Sequence, residues 1–171
     1  MRPLFISLLI IFCCSKCKSG YDYGVVSAND KVYKSLKKAL RDKSDVTILD
    51  LSDQELTEFP NEIFEFKGLK VLNLNYNNIH VIPDRIGELD NLEVLFIMKN
   101  KIEHLPNELT TLRNLRNINL MKNQLSNLPS SMTDLTRLER LLLAYNNLSE
   151  SDVKMLRRKL PSCYIVVDVV L

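Results

Sequence analysis

Leu69-Lys-Val-Leu-Asn-Leu-Asn-Tyr-Asn-Asn-Ile-His-Val-Ile-Pro-Asp-Arg-Ile-Gly-Glu-Leu-Asp-Asn91 is a stretch of 23 residues whose apolar spacing recurs along the chain without a slip. Starting points at Val46, Leu69, Leu92, Leu115 and Leu138 are each 23 residues apart. The quoted copy places apolar side chains at Leu69, Leu72, Leu74, Ile79, Ile82, Ile86 and Leu89. The next places them at Leu92, Leu95, Ile97, Ile102, Leu105, Leu109 and Leu112, and the one after at Leu115, Ile118, Leu120, Leu125, Leu128, Met132 and Leu135. A constant period in this range marks a solenoid of stacked supersecondary units.

Within each copy the spacing changes character. Leu72 and Leu74 alternate with Asn73 and Asn75, the period of a short strand with leucines on one face and asparagines on the other. Ile79, Ile82, Ile86 and Leu89 then follow at spacings of three and four, which suits a loosely helical return. Pro60, Pro83, Pro106 and Pro129 open four of these returns, where the missing amide proton costs nothing. One coil buries too little apolar surface to offset the entropy of ordering its backbone, so stacking must supply the rest. Asn77, Asn100, Asn123 and Asn146 fall at the ninth position of their repeats and are expected to form a structural ladder. An Asn amide carries a donor and an acceptor, enough to bridge its own turn and the next coil. Gln54 stands at that place in the first copy, a departure expected where a coil meets a cap.

The pattern L-x-x-L-x-L-x-x-N-x-I-x-x-L-P-x-x-I-x-x-L resembles the leucine-rich repeat family. Its -L-P-x-x-I- returns resemble the 23-residue class of bacterial proteins and of Ras-suppressor-like intracellular scaffolds. The entry at Tyr33–Leu40 and Asp45–Leu51 and the exit at Leu160–Ile165 are similar to small exported leucine-rich repeat proteins of pathogenic spirochaetes. The fold expected is an α/β solenoid of five repeats over 46–148 with a parallel concave sheet. An N-terminal cap with a helix would occupy 21–45, and a C-terminal helix-plus-strand cap 149–171.

In the first cap, Val32, Tyr33, Leu36 and Leu40 share one face at helical spacing, which predicts a helix over 31–41 capped by Asn29 or Asp30 with lysines toward solvent. In the second, Ser149 and Asp152 fit a capping box, and a helix with Val153, Leu156 and Leu160 inward is expected to stop at Pro161. The β-branched run from Cys163 to Val169 reads as a terminal strand with an open edge.

Leu4–Phe12 is apolar, follows Arg2 and ends at Cys13, Cys14, Ser15, Lys16 and Cys17. Nine residues are too few to cross a bilayer core, which takes roughly twenty, and match the h-region of a secretory signal. A cysteine after such a segment resembles a bacterial lipoprotein signal, which implies acylation of Cys14; cleavage near Cys17–Gly20 without lipid is the alternative. Residues 1–20 are therefore expected to be a signal and short tether, and the protein to be exported, either anchored in the envelope or secreted. Removing Arg2, Lys16 and Lys18 from the 23 basic residues leaves 20 against 21 acids in residues 21–171, a net of −1. A near-neutral domain gives no electrostatic case for nucleic acid.

The residues between the strand leucines line the concave face. One column holds Asp50, Asn73, Phe96, Asn119 and Leu142; the next holds Ser52, Asn75, Met98, Met121 and Ala144; beside it stand Asp53, Tyr76, Lys99, Lys122 and Tyr145. The candidate partner-binding set is Tyr76, Phe96, Met98, Lys99, Asn119, Met121, Lys122, Leu142, Ala144 and Tyr145. Aromatic and methionine residues are what interface centres favour. His80 and His104 lie on loops with no nucleophile at a recognisable spacing, and the four glycines form no phosphate loop. Cys14-x-x-Cys17 has no second pair at zinc spacing, so neither metal nor cofactor is expected. The expected function is non-enzymatic protein binding through the concave sheet, with no small-molecule substrate; an intracellular signalling scaffold and a self-associating structural protein are the alternatives.

Overall fold

The computed structural model describes residues 30–168 of the 171. The lipidation candidate Cys14, the signal segment, Asn29 and the end of the terminal run beyond Asp168 lie outside the described residues.

Among the described residues seven strands form one all-parallel sheet in chain order: β1 (Val32–Tyr33), β2 (Ile48–Asp50), β3 (Val71–Asn73), β4 (Val94–Phe96), β5 (Asn117–Asn119), β6 (Arg140–Leu142) and β7 (Tyr164–Val166). From β2 to β6 the paired residues step by the repeat length, Ile48 to Val71 to Val94 to Asn117 to Arg140. The alternate strand residues Leu49, Leu72, Leu95, Ile118 and Leu141 are buried at 0–1% exposure in the core between sheet and returns. The returns over the four prolines are 3-10 helices, Asn61–Glu65, Asp84–Glu88, Asn107–Thr111 and Ser130–Asp134, each with its proline as the residue before the first turn. Each proline's carbonyl accepts the amide of the buried Ile63, Ile86, Leu109 or Met132 three residues on.

The N-terminal cap departs from the single helix that its spacing predicts. Val32 and Tyr33 pair with Ile48 and Leu49 as β1, and helix α1 is confined to Leu36–Ala39. The open edge of β2 presents unpaired amides, and a β-branched and an aromatic residue satisfy them better as a strand than as helix. Ser35, in extended backbone, precedes α1; Asp30 does not cap it. The C-terminal cap follows its pattern: α2 spans Glu150–Lys159, Ser149 Oγ accepts the Asp152 amide at 3.1 Å, and Val153, Leu156 and Leu160 are buried. Within the described residues the run that starts at Cys163 is strand over Tyr164–Val166.

The asparagine side chains link coils, in the direction opposite to the one anticipated. Asn100 Oδ1 accepts the Ile79 amide at 3.0 Å, and Asn100 Nδ2 donates to the Leu74 and Ile97 carbonyls at 2.9 and 3.2 Å. Leu74 and Ile79 belong to the preceding coil. Asn77, Asn123 and Asn146 repeat the arrangement one coil apart. In the first repeat no full coil precedes, and the longer Gln54 reaches the Lys34 carbonyl just after β1 at 3.1 Å.

Candidate concave binding face

The turns after β2 to β6 each place the eighth repeat residue in left-handed backbone: Asp53, Tyr76, Lys99, Lys122 and Tyr145 have φ of 55–60°, and the first turn adds Glu55 at 57°. Apart from Asp53, none is glycine, asparagine or aspartate, the residues that adopt this conformation at least cost. The geometry lifts these side chains to the rim of the concave face. Lys99 Nζ lies 5.0 Å from the Tyr76 ring centre and Lys122 Nζ lies 5.2 Å from that of Tyr145, two cation–π pairs in the order Tyr-Lys-Lys-Tyr across four coils. All four are exposed, Tyr76 at 39% and Tyr145 at 60%.

Inside this rim the fifth-position side chain usually folds back on its own turn. Asp50 Oδ1 accepts the Ser52 amide, Asn73 Oδ1 the Asn75 amide and Asn119 Oδ1 the Met121 amide, each at 3.1 Å. Phe96 offers no such acceptor, and Asn75 Oδ1 from the neighbouring coil takes the Met98 amide instead, at 2.6 Å. The apolar side chain at position 96 is thus accommodated by its neighbour. Phe96, Met98, Asn119, Met121 and Leu142 are all partly exposed, and Asn119 Nδ2 lies 3.9 Å from Met98 Sδ. Ala144 is only 5% exposed and its methyl adds little to the accessible patch. Asp50, Asn73 and Asn75 are buried at 0–4%, and the side-chain Nδ2 atoms of Asn73 and Asn75 have no hydrogen-bond partner.

Two groups were missed at the level of sequence. The third-position column, Ile48, Val71, Val94, Asn117 and Arg140, lies on the same face as Phe96; its first three members are buried at 0–1%. Tyr164 and Val166 of β7 continue these columns beside Arg140 and Leu142. The 23-residue spacing carried the first signal. The second was hidden because Arg140 to Tyr164 is a step of 24.

His80 and His104 are exposed on their loops, and no hydrogen bond joins either to another side chain. His80 borders an open recess of about 450 Å³ with Thr57, Glu58, Phe59 and Val81. Among the described residues no three His, Cys, Asp or Glu side chains gather as a metal site, and no helix is long and apolar enough to cross a membrane. Half-buried Cys163 has its thiol pKa pushed up to about 11 by burial, so it is protonated at neutral pH.

A sequence profile described as leucine rich repeat matches residues 44–102 and 90–148. Among solved structures the chain is similar to a leucine-rich repeat protein of Leptospira interrogans, at 32% identity and a TM-score of 0.52 over 65% of this chain and 34% of that one. It is similar to internalin C2 of Listeria monocytogenes at 26% identity and a TM-score of 0.66, over 79% of this chain and 57% of that one. A plant peptide hormone receptor, RGFR1, solved in complex with RGF2, matches at 28% identity and a TM-score of 0.56, over 70% of this chain and 24% of that one. The chain thus spans less than two thirds of each of these proteins. No curated protein sequence matches.

Proposed function

The chain belongs to the leucine-rich repeat family, and from that premise we propose that it is a non-catalytic module that binds a protein partner through its concave sheet. The observation that carries this reading is the substitution of the self-satisfied fifth-position Asp or Asn by Phe96, beside Met98, Met121 and Leu142 and inside the Tyr-Lys-Lys-Tyr rim. An apolar centre with a polar and aromatic rim is the layout of an interface hot spot. Nothing in the fold needs apolar side chains at these positions, since the core is filled from the opposite face of the strands. The complex of RGFR1 with RGF2 supports peptide or protein ligands as the partner class.

The 23-residue period and the -L-P-x-x-I- returns support membership of the 23-residue class, the entry at Tyr33–Leu51 and exit at Leu160–Ile165 support kinship with spirochaetal exported proteins, and the order Arg2, Leu4–Phe12, Cys14 supports export with acylation of Cys14. Residues 1–20 then act as signal and tether, 21–45 and 149–171 as caps, and the partner is outside the cytoplasm, a host protein being the candidate. Two acyl chains would hold the domain at a membrane where one would not.

The double variant Phe96→Asp with Met121→Asp tests the binding face. Proteins crosslinked to the wild-type chain on its native cells or in host extract should be lost from the variant, with the melting midpoint within a few degrees of wild type. Capture that survives both substitutions moves the site off the concave face. Intact mass of the protein from native cells tests the export reading: a start at Cys14 with added acyl mass supports it, and an unmodified Met1 overturns it in favour of an intracellular scaffold.

A further inference from the structure

The two edges of the sheet are built differently. β1 is two residues long and is flanked by Lys31 and Lys34. Lys31 lies over the Tyr33 ring at 4.3 Å and binds Asp42 at 2.7 Å. Short length and flanking lysines are what protects an edge from pairing with another chain. Among the described residues β7 has no such guard. From Ser162 to Val167 the sequence Ser-Cys-Tyr-Ile-Val-Val carries no charge, and Tyr164 is 55% exposed. The nearest charge, Asp168, turns back to accept the Tyr145 amide.

The hydrogen bonds of β7 show which groups it leaves open. The Tyr164 amide donates to the Glu139 carbonyl at 2.8 Å, and the Val166 carbonyl accepts the Leu143 amide at 2.7 Å. Residues 164 and 166 therefore spend their backbone groups on β6. In a parallel ladder the groups alternate, so the amide and carbonyl of Ile165 between them face the open edge. We propose that this edge pairs with a second copy of the chain, β7 against β7, antiparallel about a two-fold axis through Ile165.

Charge decides the occupant and the direction. Addition of β1 from another copy would continue the solenoid head to tail, but it would strip water from Lys31 and Lys34 for two residues of pairing. β1 against β1 offers only two residues a side and would bring Lys31 and Lys34 of both copies to a seam stripped of water. β7 against β7 sets Ile165 opposite the partner's Ile165, each donating its amide to the other's carbonyl. Tyr164 then faces the partner's Val166, an aromatic against β-branched pair, and Ser162 faces the partner's Asp168. No like charges meet. Because the contact is isologous it closes at two chains and does not build a fibre.

Sedimentation velocity of the full-length chain in mild detergent, over a concentration series, reads the outcome. The wild type should pass from monomer to dimer and stop there. Tyr164→Lys with Val166→Lys places lysine against lysine twice and should raise the dissociation constant about tenfold or more. Tyr164→Lys with Val166→Glu places opposite charges across the axis and should restore the dimer. Every variant keeps the same N-terminus, so association through acyl chains or the signal segment would move all of them alike. A wild type that stays monomeric, a dimer indifferent to the two lysines, or growth beyond two chains overturns the proposal. The Phe96→Asp, Met121→Asp chain should dimerise as wild type does, which keeps this surface separable from the concave one.

Discussion

Asn100 and Asn78 show how much the same residue type can differ within one repeat. Asn100 is 7% exposed and ties four backbone groups in two coils. Asn78 is half-exposed and no side-chain hydrogen bond holds it; only its backbone amide is engaged, with the Leu56 carbonyl. Asn100→Ala strands the Ile79 amide and the Leu74 carbonyl in the interior, at about 1–3 kcal/mol for each buried orphan. A total of about 2–6 kcal/mol lowers the melting midpoint of a domain this size by about 5–20 °C. Asn78→Ala should shift it by less than about 2 °C, since surface changes stay within about 0.5 kcal/mol. Differential scanning calorimetry on the two variants decides the matter, and equal midpoints would remove the ladder from the account of stability. The ninth-position asparagines stood out in the sequence because the spacing repeats, but the direction of their bridges did not. Whether an amide reaches forward or back depends on the handedness of the stack, which a one-dimensional period does not record.

At the scale of elements, legibility followed repetition. The strands and returns of the middle coils recur in the same letters, so their positions could be read directly. The caps occur once each. The α2 cap was readable because its signals are local: Ser149 and Asp152 three residues apart, then Val153, Leu156 and Leu160. β1 was not, because Val32 and Tyr33 satisfy both a helical face and a strand, and the unpaired edge of β2 chose between them. The charge column at the second position was missed for a different reason. Lys70, Glu93, Arg116 and Glu139 alternate in sign from coil to coil, with Arg116 2.6 Å from Glu139 and 3.7 Å from Glu93, a pattern visible only when coils are read across and not along. For the candidate site, the columns of residues were legible, but the way Asn75 makes room for Phe96 was not, since it is a bond between coils. The local nature of the α2 cap gives its own test. Ser149→Ala should cost about 1 kcal/mol, with Ser149→Asp recovering most of it, measured by urea unfolding. A null effect of the alanine would mean that packing of Val153 and Leu156 alone holds the helix.

A solenoid transmits local loss along its whole length, because each coil is stable only against its neighbours. This makes acid a probe of the entire stack. Two carboxylates sit on different parts of it. Asp42, in the N-terminal cap, is held below the usual carboxylate range by the hydrogen bond from Lys31 and then by that from Tyr33. Glu88, on the return of the second repeat, is held down by Arg85 and, more weakly, by Lys67. Both groups bind a proton less readily when folded than when unfolded. Their contribution is therefore complete above the unfolded value of about 4 and is lost as pH falls through the lower folded values. Both are exposed, so each effect is small and screened by salt. The melting midpoint should be flat near neutrality and decline between about pH 4 and pH 2. Asp42→Asn and Glu88→Gln should each lower the neutral plateau slightly and flatten the acid limb, as should raising ionic strength in the wild type. Circular dichroism melts at several pH values resolve this, and an acid limb unchanged in the double variant would place the pH dependence in other carboxylates. If the transition stays single at every pH, protonation at the cap and at the second coil is being felt by all five repeats together, which is what a stack without independent coils requires.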